Sequence, residues 1–176
     1  QGEDDAYHVI SSLTSTDIRD GMSSTLMAAE VNAFTSYVRN TSDPGPAPPA
    51  TTAFAQSLAG DLKLGPNLND NTGHTEWCDG RVHHSGFTTT FLPNTVVPFT
   101  SGGETYNIDY NSMQEGKSLT QPTYAAITSR SYHGGIVHVV LMDGSARSIS
   151  ENISLEVWRA LGTRRNGTNE VVVSEF

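Results

Sequence analysis

The sequence predicts an α+β fold in which an antiparallel sheet is combined with short helices and long loops. Three observations indicate it. The 176 residues include 19 Ser, 20 Thr and 11 Asn, a composition that favours strands and turns over helices. A β-branched run followed by Asp-Gly near the C-terminus is typical of a β-hairpin, and a short apolar stripe of helical spacing follows it. The length fits one domain over residues 1–176.

The N-terminal part contains weak and partly ambiguous signals. Residues 17–21 (DIRDG) fit one helical turn that ends at Gly21 in a left-handed conformation. The apolar residues of 23–34 do not alternate cleanly, so helix and strand both stay open there. Four of the eight prolines lie in 40–52, which predicts a loop. Residues 54–62 fit a short helix.

The central part contains β-rich stretches separated by polar ones. Residues 75–98 predict a strand, a turn and a second strand, and residues 123–129 (TYAAITS) predict another strand. Between them, residues 101–116 are polar with scattered aromatic residues, among them Tyr106 and Tyr110. This segment is predicted to be a loop.

The strongest signal is a hairpin over residues 136–149. A run of β-branched residues precedes Asp143-Gly144, a dipeptide that favours a two-residue type I′ turn with positive φ at both positions. A short helix is then predicted over 154–161, with a serine as its N-terminal cap and Gly162 as its end.

Charge and cysteine content narrow the class of protein. The net charge is −9, from 10 basic and 19 acidic residues, and Lys63 and Lys117 are the two lysines. Nucleic acid is therefore not an expected partner, since it needs a basic surface. Cys78 is the single cysteine, so an internal disulfide is excluded. The acidic, Lys-poor and Thr-rich composition favours an extracytoplasmic location, in the periplasm or at the cell surface.

No common catalytic motif is present. The chain has no G-x-S-x-G, P-loop, H-E-x-x-H or C-x-x-C sequence. We therefore predict a protein that is not an enzyme and carries no cofactor.

Six potential metal ligands nevertheless crowd into residues 74–84 and form a weak zinc candidate. They are His74, Glu76, Cys78, Asp79, His83 and His84. In a strand, however, His74 and Cys78 would share one face while His83 would point away, and His83 and His84 could not share a face. The favoured interpretation is structural histidines and a buried free thiol.

His133 and Asp143 flank the first strand of the predicted hairpin. His133 precedes Gly134-Gly135, and Asp143-Gly144 follows the strand. The two side chains would lie about 30 Å apart on an extended strand, which excludes a catalytic dyad. Both are predicted to be structural: His133 would fix the Gly-Gly turn and Asp143 would set the hairpin.

Aromatic residues support a second hypothesis, a module that binds carbohydrate or another polymer. Trp77, Tyr106 and Tyr110 could stack on sugar rings if they are exposed, as could Tyr124 and Tyr132. Buried core positions are the commoner fate of such residues.

A set of motifs resembles one bacterial family. His133, nine further residues and then Asp143-Gly144 match the H-x9-DG signature of prepilin-like proteins. The large planctomycete family called domain of unknown function 1559 carries this signature. Further similar segments are 17–26 (DIRDGMSSTL), 74–77 (HTEW), 86–91 (GFTTTF), 129–133 (SRSYH) and 158–164 (WRALGTR). The resemblance covers about residues 14 to 165. The family usually has His-Pro-Gly-Gly where this chain has His133-Gly134-Gly135.

The resemblance implies a pilin-like fold and a structural role. In the full-length protein, the sheet would lie against an N-terminal apolar helix that follows a prepilin leader and anchors the protein to the membrane. Neither is in this chain, which we expect to be the C-terminal globular portion. It would act as a non-enzymatic, pseudopilin-like subunit of a surface filament or secretion apparatus. Its partners would be copies of itself or other pilin-like subunits, which meet through an exposed apolar patch.

Overall fold

The computed structural model describes residues 13–39, 51–57, 60–64, 73–76, 78–111 and 125–165. Within these ranges the strands are β1 Leu26–Ala29, β2 Ser36–Arg39, β3 Asp61–Lys63, β4 Pro98–Ser101, β5 Glu104–Asn111, β6 Ala125–Ala126, β7 Ile136–Leu141 and β8 Ala146–Ser150. The α-helices are α1 Val82–Ser85 and α2 Leu155–Leu161. Short 3-10 turns occupy Ser15–Asp17, Met22–Ser24 and Thr52–Ser57. The predicted α+β class is confirmed. No helix in these ranges is long and apolar enough to cross a membrane.

The chain divides into two compact units. The first draws on the described residues within 1–30, 92–94 and 130–176, and the second on those within 31–91 and 95–129. The prediction of one domain over 1–176 is not tested by this division and stays a prediction. Most of the Pro-rich segment 40–52 lies outside the described residues.

The first unit contains an antiparallel three-stranded sheet in the order β1-β7-β8. Alternate residues of β7 point to opposite faces, and Val137, Val139 and Leu141 form its buried face. Trp158 and Leu161 of α2 are fully buried in the same unit. The segment 23–34, which the sequence left open, therefore contains an edge strand rather than a helix.

The hairpin is present at 136–150, but its turn differs from the predicted type. Three residues, 142–144, lie between the hydrogen-bonded pair Leu141 and Ser145: Leu141 N donates to Ser145 O, and Gly144 N donates to Leu141 O, both at 2.9 Å. Gly144 has φ +84, whereas Asp143 is not among the described residues with positive φ. The predicted type I′ turn is therefore wrong. The Asp143 carboxylate instead accepts from the backbone N and the hydroxyl of Ser145, an Asx-type turn that needs positive φ only at the glycine.

Two helix ends also differ from the prediction. Ser154 is the N-cap of α2, yet its hydroxyl makes no capping hydrogen bond, and Gly162 ends the helix in the right-handed region at φ −81. Near the N-terminus the helical turn is Ser15–Asp17 rather than 17–21. The Asp17 carboxylate accepts from both the backbone N and the hydroxyl of Thr14, which places the start of the turn earlier. Gly21 does adopt positive φ.

The second unit contains a mixed sheet in the order β3-β2-β5-β4, with β6 also paired to β5. The β2–β5 pair is parallel and the others are antiparallel. The loop predicted over 101–116 is wrong, because β5 is a strand inside this sheet. Its residues 108–111 are all buried, so it lacks the alternation that marks a half-exposed strand. A hydrophobic core lies on one face and is built from Val38, Ala55, Phe91, Val97, Phe99, Ile108, Tyr110 and Ala126.

Other predicted elements of the central part also differ from the structure. The strand-turn-strand over 75–98 is wrong: the helical turn α1 lies within it and a strand begins only at Pro98. The helix predicted over 54–62 is replaced by the 3-10 turn Thr52–Ser57 and the strand β3. Of the strand predicted over 123–129, the part assigned to β6 is two residues long.

Candidate functional site

The first unit places two histidines and a glutamate together on the outer face of its sheet. His138 lies on β7 and points away from the buried face. His133 lies in the turn that precedes β7, where Gly135 has φ +73. Glu30 directly follows β1, which pairs with β7. One potential ligand atom from each of these three side chains lies within 4.8 Å of the others.

Backbone hydrogen bonds hold Glu30 in this position. Its N–H donates to His138 O and its carbonyl accepts from Arg130 N, both at 3.0 Å. The carboxylate then reaches both histidines: Oε2 accepts from His138 N at 2.8 Å, and Oε1 lies 3.3 Å from His133 Nε2. Partial burial opposes ionisation, but the His138 N–H and the two nearby imidazoles outweigh it and lower the pKa of Glu30.

The two imidazole rings contact each other, and that of His138 also contacts a serine. Their ring centroids lie 4.7 Å apart in an edge-on arrangement. His138 Nδ1 lies 3.0 Å from Ser148 Oγ of the neighbouring strand β8. We call Glu30, His133, His138 and Ser148 the outer-face cluster. Its two nitrogens and one carboxylate are a donor set that could hold a transition-metal ion.

The structure corrects the predicted role of His133. Its side chain turns to Glu30 rather than to the Gly134-Gly135 turn. The Ser131 hydroxyl spans that turn instead, since it accepts from His133 N and donates to Ile136 O. Asp143 lies beyond the other end of β7, outside the outer-face cluster. Its geometry is that of the hairpin turn described above.

A second group of potential ligands lies in the second unit and combines Glu76, Asp79 and His84, again within 4.8 Å. Here Arg81 occupies Asp79 through paired contacts from its guanidinium. These hydrogen bonds, from the side chain and then the backbone of Arg81, hold the pKa of Asp79 well below its usual range. His84 Nε2 lies 3.6 Å from Glu76 Oε2. The ion pair with Arg81 disfavours a metal at this place.

Of the six zinc candidates named from the sequence, Glu76, Asp79 and His84 come together as described above, whereas His74, Cys78 and His83 do not join them. His74 Nδ1 lies 3.2 Å from the backbone oxygen of His84, Cys78 is exposed, and His83 is buried with its ring stacked on Tyr37. The predicted buried thiol is wrong. His83 and His84 lie on the helix α1 rather than on a strand, and their ring centroids are 4.2 Å apart.

The predicted stacking aromatics have different surroundings. Tyr110 is buried in the hydrophobic core, so its ring is not available to a ligand; burial also raises the pKa of its hydroxyl. Tyr106 is half-buried and packs against the same core. Trp77 and Tyr124 lie outside the described residues. Tyr132, beside His133, is 93% exposed.

The chain matches the family described as protein of unknown function DUF1559 over residues 3–156. It belongs to this family. That match covers most of the 176 residues and agrees with the resemblance seen in the motifs of the sequence. No curated protein and no solved structure matches the chain.

Proposed function

We propose that this DUF1559 protein is an exported, non-enzymatic, pseudopilin-like structural subunit that acts by packing against other subunits. Membership of the family and the H-x9-DG signature at His133 and Asp143-Gly144 support the proposal. In full-length form the subunit would be held at the membrane by an apolar N-terminal helix.

The observation that carries the proposal is an apolar strip on the outer face of the first sheet. Ala28, Val140 and Ala146 are cross-strand neighbours on this face, and Ala28 and Ala146 are exposed. Met27, beside Ala28 at a bulge in β1, is 47% exposed. Small side chains on a sheet face let another element approach closely, and exposed apolar side chains that adjoin one another are typical of an interaction surface.

The native full-length protein provides the test. We expect filaments or defined oligomers by electron microscopy and light scattering, and an intact mass that includes an apolar N-terminal helix. Replacing Met27 by Glu should abolish the assembly, because a charge would be buried in the contact. Val96→Glu is the matched control, since Val96 is an exposed apolar residue of the second unit. A monomeric native protein, or assembly that Met27→Glu leaves intact, would refute the proposal.

Carbohydrate binding is the second candidate, and the exposed Tyr132 favours it. An aromatic ring that is 93% exposed offers a flat apolar surface for a sugar face. Because the chain carries a charge of −9, a neutral polysaccharide is the better match. We expect Tyr132→Ala to weaken binding to a glycan array at least ~10-fold, while Tyr132→Phe keeps it. Equal binding by wild type and Tyr132→Ala, or no glycan bound at all, would exclude this function.

A further inference from the structure

We propose that Glu30, His133 and His138 form a binding site for a divalent transition-metal ion of the Zn²⁺ class. Zinc sites open to solvent commonly use three protein ligands drawn from histidine and carboxylate, with a further position left for water. The three side chains each offer one such ligand atom, mutually within 4.8 Å. This inference does not depend on the proposed function, because it requires no other subunit.

The distances between the ligand atoms are close to those of a metal site, so an ion could bind with only a small movement of the side chains. The 3.3 Å between His133 Nε2 and Glu30 Oε1 is close to the edge of a tetrahedron whose metal–ligand bonds are about 2 Å long. The side chains of His133 and Glu30 are 52% and 34% exposed. An ion can therefore reach both side chains from solvent, and the half-exposed His133 ring can turn onto it.

Ser148 supplies the outer contact that metal-binding histidines usually have. With His138 Nδ1 engaged by the Ser148 hydroxyl at 3.0 Å, Nε2 is the nitrogen left to face an ion. Such a contact fixes the orientation and tautomer of the ring. Glu30 is equally well placed, since hydrogen bonds from its own N–H and to its own carbonyl hold its backbone.

The donor set also decides the class of ion. Two imidazole nitrogens and one carboxylate suit Zn²⁺ and its neighbours, whereas Ca²⁺ and Mg²⁺ prefer a shell of oxygen atoms. The group formed by Glu76, Asp79 and His84 is the weaker place, because Arg81 already binds Asp79 and His84 is buried.

The test is a Zn²⁺ titration of the untagged chain by calorimetry after treatment with a chelator. We expect one ion per chain, and with Co²⁺ the strong visible absorption of a low-coordinate site. Glu30→Gln, His133→Ala and His138→Ala should each weaken Zn²⁺ binding by at least ~100-fold, and Ser148→Ala by about 10-fold. Glu76→Gln and Glu104→Gln are the controls that should leave it unchanged, and Ca²⁺ should not compete.

Circular dichroism of each variant separates loss of a ligand from loss of the fold. If His138→Ala does not fold, His133→Ala decides, because its ring is half exposed and its removal leaves β7 intact. The proposal would be overturned by the absence of saturable Zn²⁺ binding. It would equally be overturned if folded His133→Ala and Glu30→Gln bound Zn²⁺ as tightly as the wild type, or if Glu76→Gln abolished the binding.

Discussion

Replacing Trp158 by Ala is expected to lower the free energy of unfolding by about 3–5 kcal/mol, the usual range for truncating a large buried aromatic residue. Trp158 is fully buried and is the largest such side chain in the described part of the chain. It lies on α2, in the same unit as the buried β7 residues Val137 and Leu141. Truncation removes the contacts of the indole and leaves a cavity that a seven-residue helix cannot close by itself.

Urea denaturation followed by far-ultraviolet circular dichroism would measure the effect. Tyr132→Ala is the matched control, because it truncates an aromatic side chain that is 93% exposed and should change the stability by less than about 0.5 kcal/mol. Trp158→Phe should recover part of the loss. An unfolding midpoint of Trp158→Ala equal to that of the control would contradict the assignment of Trp158 to the interior.

The C-terminal third was the most predictable part of the fold because its signals are local. The β-branched run, Asp143-Gly144 and the apolar stripe through Trp158 each act within a few residues, and the hairpin and α2 lie where these signals place them. Even here the turn type was wrong. The Asp143 side chain stabilises the turn through Ser145, a contact that competes with the positive φ that a type I′ turn demands.

Prediction failed where distant residues decide the structure. The sequence of strand β5 predicts a polar loop because Asp109 and Asn111 interrupt its apolar residues, yet both side chains are fully buried. Asp109 Oδ1 accepts a hydrogen bond from Thr128 N at 3.0 Å, and β5 is paired with β2, β4 and β6. Strands β2 and β6 come from separate parts of the chain, so no local pattern predicts their pairing with β5. Strand β4 is different: it is joined to β5 by Gly102-Gly103, both with positive φ, and this dipeptide is a local hairpin signal that the loop prediction overlooked.

The outer-face cluster was missed for the same reason. His133 attracted notice through its signature with Asp143, but the residue it meets, Glu30, is 103 positions away. The pairing of β1 with β7 brings them together, and the sequence left open whether the segment containing β1 was helix or strand. The alternation of β7 would have placed His138 on the exposed face. Placing the Glu30 carboxylate beside His138 required the register between β1 and β7, which no local pattern gives.

His83 is expected to make the second unit less stable as the pH falls from 6.5 to about 4. Burial, aided by the neighbouring His84 and Arg81, lowers the pKa of His83 from its ordinary 6.5 to about 4. In this window the unfolded chain binds a proton that the folded chain does not, so acid favours unfolding. The loss attributable to His83 reaches about 3 kcal/mol near pH 4. Burial lowers the pKa of His84 as well, which acts in the same direction, whereas Asp79 stays charged beside Arg81 throughout.

His83→Phe isolates this effect. A phenyl ring can keep the stack on Tyr37, whose ring centroid lies 4.6 Å from that of His83 at an angle of 9°. The exchange also removes a buried nitrogen, Nδ1, that has no hydrogen-bond partner within the described ranges. Urea denaturation at pH 7, 5.5 and 4 should therefore show a stability loss about 3 kcal/mol smaller in His83→Phe than in the wild type. Ser85→Ala, on the same helix and at an exposed position, should follow the wild type. If the stability of wild type and of His83→Phe fell in parallel with pH, His83 would not be the group that makes the second unit sensitive to acid. Its ring would then be in contact with water rather than buried.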